Sequence, residues 1–507
     1  MVKINCPFCV LNCLLRIKKE KFKFAIEYEN SLCAKGNAIP LLLDSPKRLS
    51  SPFCINNGEI KKVNWEEIIK EISFSFKKYS KEEIAIGLDS YLKEDEKKKI
   101  YGFFKSLGIE NIFTSYLDSD LFFLFKANGT KIGNIEMIDK ADFILFIGDV
   151  FGSFPLIAKK VLKRKYEDKK VYLCGIDVIK NRIFGFANQF LTVKIGTEPL
   201  VLFSIAEKAQ LIKTREIKIA EVEKEISPWL SQIELLTEKL LNTHNGLVIM
   251  SLETARSFEP ILYSLLAQVL CNKKTNLYFI GLKNDASILG DLPFGEILEK
   301  LSAGKIKMLI NFGASFSFLL PQINQNIKNC EKIYLTSFYR LPWESLSNTY
   351  LLPQSLNIED GNNLLPYSGS QMASWVVTEI AKNLNWEIKE ADYPKEKIYK
   401  EKDIIYKFGN YLDFYKRELK ERIDKSFVII GKKEPFYFLD LFEKDNYLYL
   451  NKKKEIKLGL PIKIKKELEE NIGILELENL ENKKYFPLVI DEKEKFVILT
   501  PLTVENG

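Results

Sequence analysis

From about Asn56 to Lys425 the chain alternates short apolar runs with longer amphipathic stretches. Glu83–Leu88, Phe143–Ile147, Val171–Cys174, Phe190–Val193, Gly246–Met250, Leu277–Ile280, Met308–Asn311 and Ile333–Leu335 read as strands. Glu94–Leu107, Pro155–Lys165, Pro199–Lys213, Pro228–Leu241, Glu259–Cys271, Phe294–Leu301 and Met372–Leu384 have the spacing of helices. Strands alternating with helices predict parallel sheets with helices on both faces, an α/β class. The stretch is about twice the size of one doubly wound domain, so two interleaved units are expected, the inner one over about 135–300.

The pattern differs at the two ends. Leu41-Leu42-Leu43-Asp44-Ser45-Pro46-Lys47-Arg48-Leu49, with Pro52 after it, reads as a linker. Asn64 then stands where a helix N-cap is expected, with Glu67 three residues on and apolar residues at helical spacing behind. From Ser426 onward the apolar runs become short and turn-bounded: Phe427–Ile430, Tyr447–Leu450, Ile462–Ile464, Ile472–Leu477, Leu488–Ile490 and Phe496–Leu499. Only Lys465–Glu470 suggests a helix between them. The expected organisation is an N-terminal segment 1–55, an α/β core 56–425 and a small, mostly β domain 426–507, barrel or sandwich.

Composition narrows the chemistry. At 507 residues the chain exceeds a single hydrophobic core. No apolar run reaches the length of a membrane-spanning helix, about eighteen residues or more. No secretory or twin-arginine signal opens the sequence, so a cytoplasmic protein with reduced thiols is expected. Net charge is +7 from 75 basic and 68 acidic residues, interleaved in runs such as Lys93–Lys99 and Lys395–Lys402. Such runs are usually solvated helix faces, and nothing in them calls for nucleic acid. One histidine, His244, lies in the turn-like Asn242-Thr243-His244-Asn245-Gly246. A triad or a histidine-rich metal site has only that residue to draw on, and it reads as an exposed loop histidine.

The eight cysteines are distributed unevenly. Cys6, Cys9 and Cys13 fall in Cys6-Pro7-Phe8-Cys9-Val10-Leu11-Asn12-Cys13, and Cys33 follows after nineteen residues. Three thiols this close make poor disulfide staples. A C-x2-C-x3-C loop with a distant fourth cysteine suits a [4Fe–4S] cluster. Four thiolates also suit structural zinc, although zinc sites tend to pair C-x2-C with a second C-x2-C that is missing here. Redox-active or unliganded cysteines are the third possibility. Cys174, Cys271 and Cys330 sit in or beside apolar stretches, where a free cysteine packs as a small hydrophobe. Cys54 stands nearest the loop.

These stretches together resemble the molybdopterin oxidoreductase family, which includes formate dehydrogenases, nitrate reductases and the large iron–sulfur subunit of respiratory complex I. The resemblance rests on the cysteine loop with Cys33-Ala34-Lys35-Gly36, on Ser45-Pro46-Lys47-Arg48-Leu49-Ser50-Ser51-Pro52, and on Val63-Asn64-Trp65-Glu66-Glu67. It continues through Ala141–Gly148, Ile195-Gly196-Thr197-Glu198, Ala303-Gly304-Lys305-Ile306-Lys307, Tyr350-Leu351-Leu352-Pro353, Glu359-Asp360-Gly361 and Gly369-Ser370-Gln371. It implies a cluster loop held against an α/β core, with a β domain covering the cofactor. Lys35 falls where the family places a lysine between cluster and pterin. It reads either as an electron-path residue or as a cation offsetting the charge of the cluster.

The chain departs from active members of the family at the metal-ligand position. That position falls near Phe113-Thr114-Ser115-Tyr116-Leu117-Asp118, without Cys or His, which leaves Ser115 and Asp118 as oxygen ligands or as ordinary turn residues. The family's "G-x-N-P" is Gly148-Asp149-Val150-Phe151 here, and its "D-P-R" is Gly175-Ile176-Asp177-Val178. Bulky residues in such turns oppose close approach of a phosphate.

Three readings follow. The first is a complex I-like redox subunit with one [4Fe–4S] cluster on Cys6, Cys9, Cys13 and Cys33. It would pass electrons to ferredoxin-like or flavin- and NADH-linked partner chains. The second is an oxidoreductase of formate dehydrogenase type carrying molybdenum or tungsten bis-molybdopterin guanine dinucleotide. The third is a structural zinc subunit. The resemblance implies a cytoplasmic location, or attachment to a membrane complex on the cytoplasmic face of the inner membrane, without direct insertion.

Overall fold

The computed structural model describes the chain apart from residues 1, 7–10, 12, 21–22, 28–31, 38, 44–47, 89–91, 93, 115–124, 169–170, 179, 214–215, 252–256, 258, 283–293, 313–326, 338–347, 356–368, 390, 392–396, 422–426, 433–471, 477–488, 491–495 and 500–507. It is a mixed α/β fold with parallel sheets.

The N-terminal segment forms an antiparallel three-stranded sheet of β1 (Val2–Asn5), β2 (Leu14–Glu20) and β3 (Lys23–Glu27). In β2, Leu15 and Ile17 are buried, while Leu14 and Lys18 are exposed, the period-two pattern of a sheet covered on one face. Leu41–Leu43, read from sequence as linker, belongs to the short helix Ile39–Leu43. Leu43, Arg48 and Leu49 are buried, so apolar contact overrides the Pro-containing linker signal.

A hairpin of β4 (Phe53–Asn56) and β5 (Glu59–Lys62) follows. The chain then continues through β6 (Ile84–Leu88), β7 (Ile112–Thr114) and β8 (Phe125–Ala127). Next come β9 (Phe143–Ile147), β10 (Tyr172–Asp177), β11 (Gln189–Thr192), β12 (Gly246–Ser251) and β13 (Leu277–Leu282). These five pair in the order β11-β10-β9-β12-β13, all parallel. The chain works outward from β9 on one side and then on the other, which puts a topological switch point between β9 and β12. Phe143, Leu145 and Ile147 pack with the helices Glu198–Lys208, Leu230–Leu241 and Pro260–Val269 on one face. Ile144 and Phe146 pack with Val150–Val161 on the other. Burial on both faces is why this strand is a continuous apolar run.

The remaining core strands are β14 (Met308–Phe312), β15 (Lys332–Ser337) and β16 (Thr349–Pro353). They join the earlier ones in the order β5-β4-β16-β15-β14-β6-β7. β16 through β7 are parallel, and β4 runs antiparallel to β16 and β5. One face is covered by the helices Trp65–Lys78, Glu94–Ser106 and Ala373–Leu384. Asn64 caps the first of these, its side chain accepting the Glu67 N–H at 2.8 Å.

Some sequence expectations shift. The helix expected over Pro199–Lys213 ends at Lys208, and Gln210 adopts φ +55° just after it. The Lys93–Lys99 run is not a solvated face throughout: Lys97 is 1% exposed, and buried Glu96 accepts the Ser374 N–H at 2.9 Å. Within Lys395–Lys402, Lys397–Tyr399 forms β17, paired with β8, and a helix begins at Glu401. That helix, Glu401–Phe414, packs on the five-stranded sheet's helices, with Phe203 and Phe408 stacked at 3.7 Å between centroids. In the tail, β18 (Phe427–Lys432), β19 (Ile472–Glu476), β20 (Val489–Ile490) and β21 (Phe496–Leu499) form a sheet of order β19-β18-β21-β20. Tyr447–Leu450, Ile462–Ile464 and Lys465–Glu470 lie outside the described residues. Among the described residues, no helix is long and apolar enough to cross a membrane.

Candidate functional site

Three of the four loop cysteines converge. Cys6 follows β1, Cys13 precedes β2, and Cys33 precedes the short helix Ala34–Asn37. The Cys6 N–H donates to the Cys13 carbonyl at 2.8 Å, which closes the loop between them, and the Asn37 N–H donates to the Cys33 carbonyl at 3.1 Å. Cys6, Cys13 and Cys33 line one pocket with Leu11, Leu32 and Gly36. Its opposite wall is Ser153-Phe154-Pro155-Leu156, at the start of the helix Pro155–Asp168.

Cys6 is buried and the other two are half-buried. Burial raises the Cys13 thiol pKa, and the neighbouring Cys33 raises it further, against a small lowering by a backbone hydrogen bond. Without a cation to stabilise thiolates, crowded thiols hold their protons, and metal ligation is the usual means of removing them. Among the described residues, no group of three or more His, Cys, Asp or Glu is placed so that it could hold a metal ion. Three thiols on one apolar-walled pocket are nonetheless the donor type of a thiolate-bound metal group.

Cys9, Ser115 and Asp118 lie outside the described residues. Lys35 sits in the helix Ala34–Asn37, two residues past Cys33. Cys54 does not join the pocket, being part of β4 opposite Tyr350. Cys174, Cys271 and Cys330 are buried, and burial pushes their thiols upward, Cys330 to about 12. They are inert packing residues. His244 is exposed on the turn before β12; its backbone N–H, with those of Asn245 and the Thr243 hydroxyl, holds the Asp142 carboxylate.

Leu11 also lines a second, larger cavity. The edge strand β13, the segment Ile132–Glu136, Phe125, Lys126 and Gln268 form its walls. One leucine of the cysteine loop therefore lines both the thiol pocket and this cavity.

The C-terminal edge of the five-stranded sheet is where such folds hold nucleotides, and among its described residues, after β9, β10 and β11, stand three buried carboxylates of the chain's own. Gly148 turns the chain with φ +77°, and Asp149 caps the helical turn Val150–Ser153 by accepting the Gly152 N–H at 2.9 Å. Asp177 accepts the Val178 N–H and the Asn181 side-chain amide, both at 2.7 Å. Glu198 is 1% exposed, and neither of its carboxyl oxygens has a hydrogen bond of good geometry, the backbone N–H groups of Gly196 and Glu198 being its nearest donors. Burial pushes its pKa well above the usual carboxyl range; the backbone N–H groups of Glu198 and Gly196 act weakly against this, and Asp177 adds to it. Tyr411, from the distant helix Glu401–Phe414, donates its hydroxyl to the Gly196 carbonyl at 2.6 Å. A phosphate brought here would meet negative charge and N–H donors already in use. Among the described residues after β9, β10 and β11, these carboxylates oppose the pyrophosphate of a pterin dinucleotide.

Sequence reading singled out Asp149, Asp177 and Glu198 only as departures or motif members. Their joint burial, and the Tyr411 contact, had no local signal. Tyr411 closes on Gly196 from the far end of the core.

No protein-family model matches the chain. Part of it is similar to the alpha subunit of a formate dehydrogenase from Methanococcus maripaludis, 25% identical over 215 residues, covering 39% of this chain and 32% of that protein. A second alpha subunit, from Methanocaldococcus jannaschii, is 26% identical over 237 residues, 43% of this chain and 35% of that protein. The matched stretch is about a third of the length of these curated relatives. The fold resembles acetylene hydratase from Pelobacter acetylenicus, with a TM-score of 0.61 over 86% of this chain and 83% of that one, at 11% identity.

Proposed function

We propose that the chain is an iron–sulfur subunit of the molybdopterin oxidoreductase type, in which Cys6, Cys9, Cys13 and Cys33 hold one [4Fe–4S] cluster that relays electrons within a larger complex. The observation that carries this is the convergence of Cys6 and Cys13, from the two ends of one loop, and Cys33, from another, on a single pocket walled by Leu11, Leu32 and Phe154. A cluster bound there supplies a store for single electrons. The chain's own residues would hold the thiolates in place and keep water from the buried Cys6 side; Lys35 follows Cys33 by two residues in the chain.

A second reading, a complete molybdenum- or tungsten-pterin oxidoreductase, is favoured by the larger cavity that Leu11 also lines and by the formate dehydrogenase relatives. The buried carboxylates Asp149, Asp177 and Glu198 count against it. A zinc-bound structural subunit is the remaining alternative.

Metal analysis of anaerobically purified protein decides among the three. About four irons per chain without molybdenum or tungsten supports the relay. Iron together with about one molybdenum or tungsten replaces it with the catalytic reading. Zinc alone removes both.

A further inference from the structure

Of the three carboxylates at the C-terminal edge of the five-stranded sheet, Glu198 is the most deeply buried and the one without a hydrogen bond of good geometry. With neither water nor a well-placed donor to stabilise a charge, the closed structure holds it as the neutral acid. The groups that act on it are themselves acidic: Asp177 from β10, Tyr263 from the helix Pro260–Val269 and Tyr411 from the helix Glu401–Phe414. Glu259, at the start of the helix Pro260–Val269, acts on Tyr411 in turn, and Lys407 is set against Glu259.

What seals this cluster comes from far along the chain. Tyr411 donates to the Gly196 carbonyl at 2.6 Å, two residues before Glu198, and Phe408 stacks on Phe203 of the helix that Glu198 begins. The ends of the sealing helix are held by other contacts. β17 pairs with β8 just before it, and just after it Lys416 and Lys420 pair with Glu221 and Glu225 at 2.5 and 2.6 Å. Between Phe414 and Lys420 the turn Tyr415–Leu419 is π-helical, which interrupts the regular hydrogen-bond ladder. The middle of the helix is thus free to loosen while both ends stay attached. We propose that the helix Glu401–Phe414 is a proton-controlled clasp, closed over the neutral Glu198 carboxyl and opened when that carboxyl releases its proton to water. The clasp does not depend on which metal the cysteine loop carries.

Hydrogen exchange of the full chain at about pH 6, 7 and 8, corrected for the intrinsic exchange rate, tests it. In wild type the protection of the Glu401–Phe414 amides should fall by up to about tenfold per pH unit, because opening releases one proton. It should also lie below that of β12 by roughly tenfold or more, because the opening is local. Glu198→Gln should make the helix protection independent of pH. Tyr411→Phe should lower it roughly three- to tenfold at every pH and keep the slope. Wild-type protection that does not change with pH overturns the proposal. So does a slope that survives in Glu198→Gln, whether or not Glu259→Gln then removes it. Unaltered protection in Tyr411→Phe overturns it by removing the seal. Equal protection in the helix and in β12 overturns it as well, since the opening is then global unfolding.

Discussion

The indole N–H of Trp65 donates to the carbonyl oxygen of Gly369 at 2.9 Å, across 304 positions of sequence. Gly369 itself has φ +81°, and a methyl group placed on it would lie 1.8 Å from the Ser50 carbonyl oxygen. Trp65 also meets Trp375 edge to face at 5.4 Å. Three stretches singled out separately in the sequence, around Ser50, Trp65 and Gly369, are thus one junction.

Gly369→Ala should therefore destabilise the protein by roughly 2–4 kcal/mol, because it combines a left-handed backbone with a clash against backbone. Gly304→Ala, at φ +65° with open space around it, should cost about 1 kcal/mol. Denaturant unfolding of both variants checks the ranking, and equal losses would mean that the Ser50 contact relaxes freely.

Cys13→Ser and Cys33→Ser should each remove most of the bound iron and the visible absorption of anaerobically purified protein. Cys271→Ser, deep in the core, should keep the iron and lose roughly 1–3 kcal/mol of stability. Iron retained in full by Cys13→Ser would disconnect the pocket from metal binding.

Glu198 gives a pH signature. Its folded pKa is raised, so its favourable contribution is complete below the ordinary carboxyl range, about 4.3, and is lost as pH rises towards the folded value. Glu198→Gln mimics the protonated form. The stability advantage of the variant over wild type should grow between about pH 5 and pH 8, by up to roughly 1.4 kcal/mol per pH unit. A difference independent of pH would show that the carboxylate ionises in place without penalty.

Asp142 has the opposite sign. Burial raises its pKa, but hydrogen bonds from the Thr243 hydroxyl at 2.5 Å and the N–H groups of His244 and Asn245 at 2.9 and 3.0 Å outweigh this, and the net shift is downward. Its contribution is present above the ordinary carboxyl range and is lost as pH falls through the lowered value. Asp142→Ala should cost roughly 1–2 kcal/mol at neutral pH and much less in acid, read by unfolding at two pH values.

How much of this was legible depended on whether the cause was local. Phe143–Ile147 declared itself because both faces are covered and every position must be apolar. Asn64 declared its helix because a cap acts within one turn. The β1–β3 sheet was hidden, since its alternation is short and the cysteines sit at its ends. The helix Glu401–Phe414 was hidden because its lysines and tyrosines suggest a solvated surface. What buries Phe408 is Phe203, far away in sequence. At the candidate site, spacing gave the cysteines. It could not give Tyr411 over Gly196, or the thiol pocket's far wall at Phe154, because tertiary packing alone creates those contacts.

The pairing of β6 with β14 sets Ile84 against Met308, with all five strands from β9 to β13 lying between them in the chain. During synthesis the five-stranded sheet emerges complete while β6 still lacks the neighbour on its inner side. Until Met308–Phe312 leaves the ribosome, the backbone groups of Ile84–Leu88 that pair with β14 lack that partner strand. The interval in which this strand edge is open to pairing with another chain is therefore set by the topology, and slowing translation before Met308 would lengthen it.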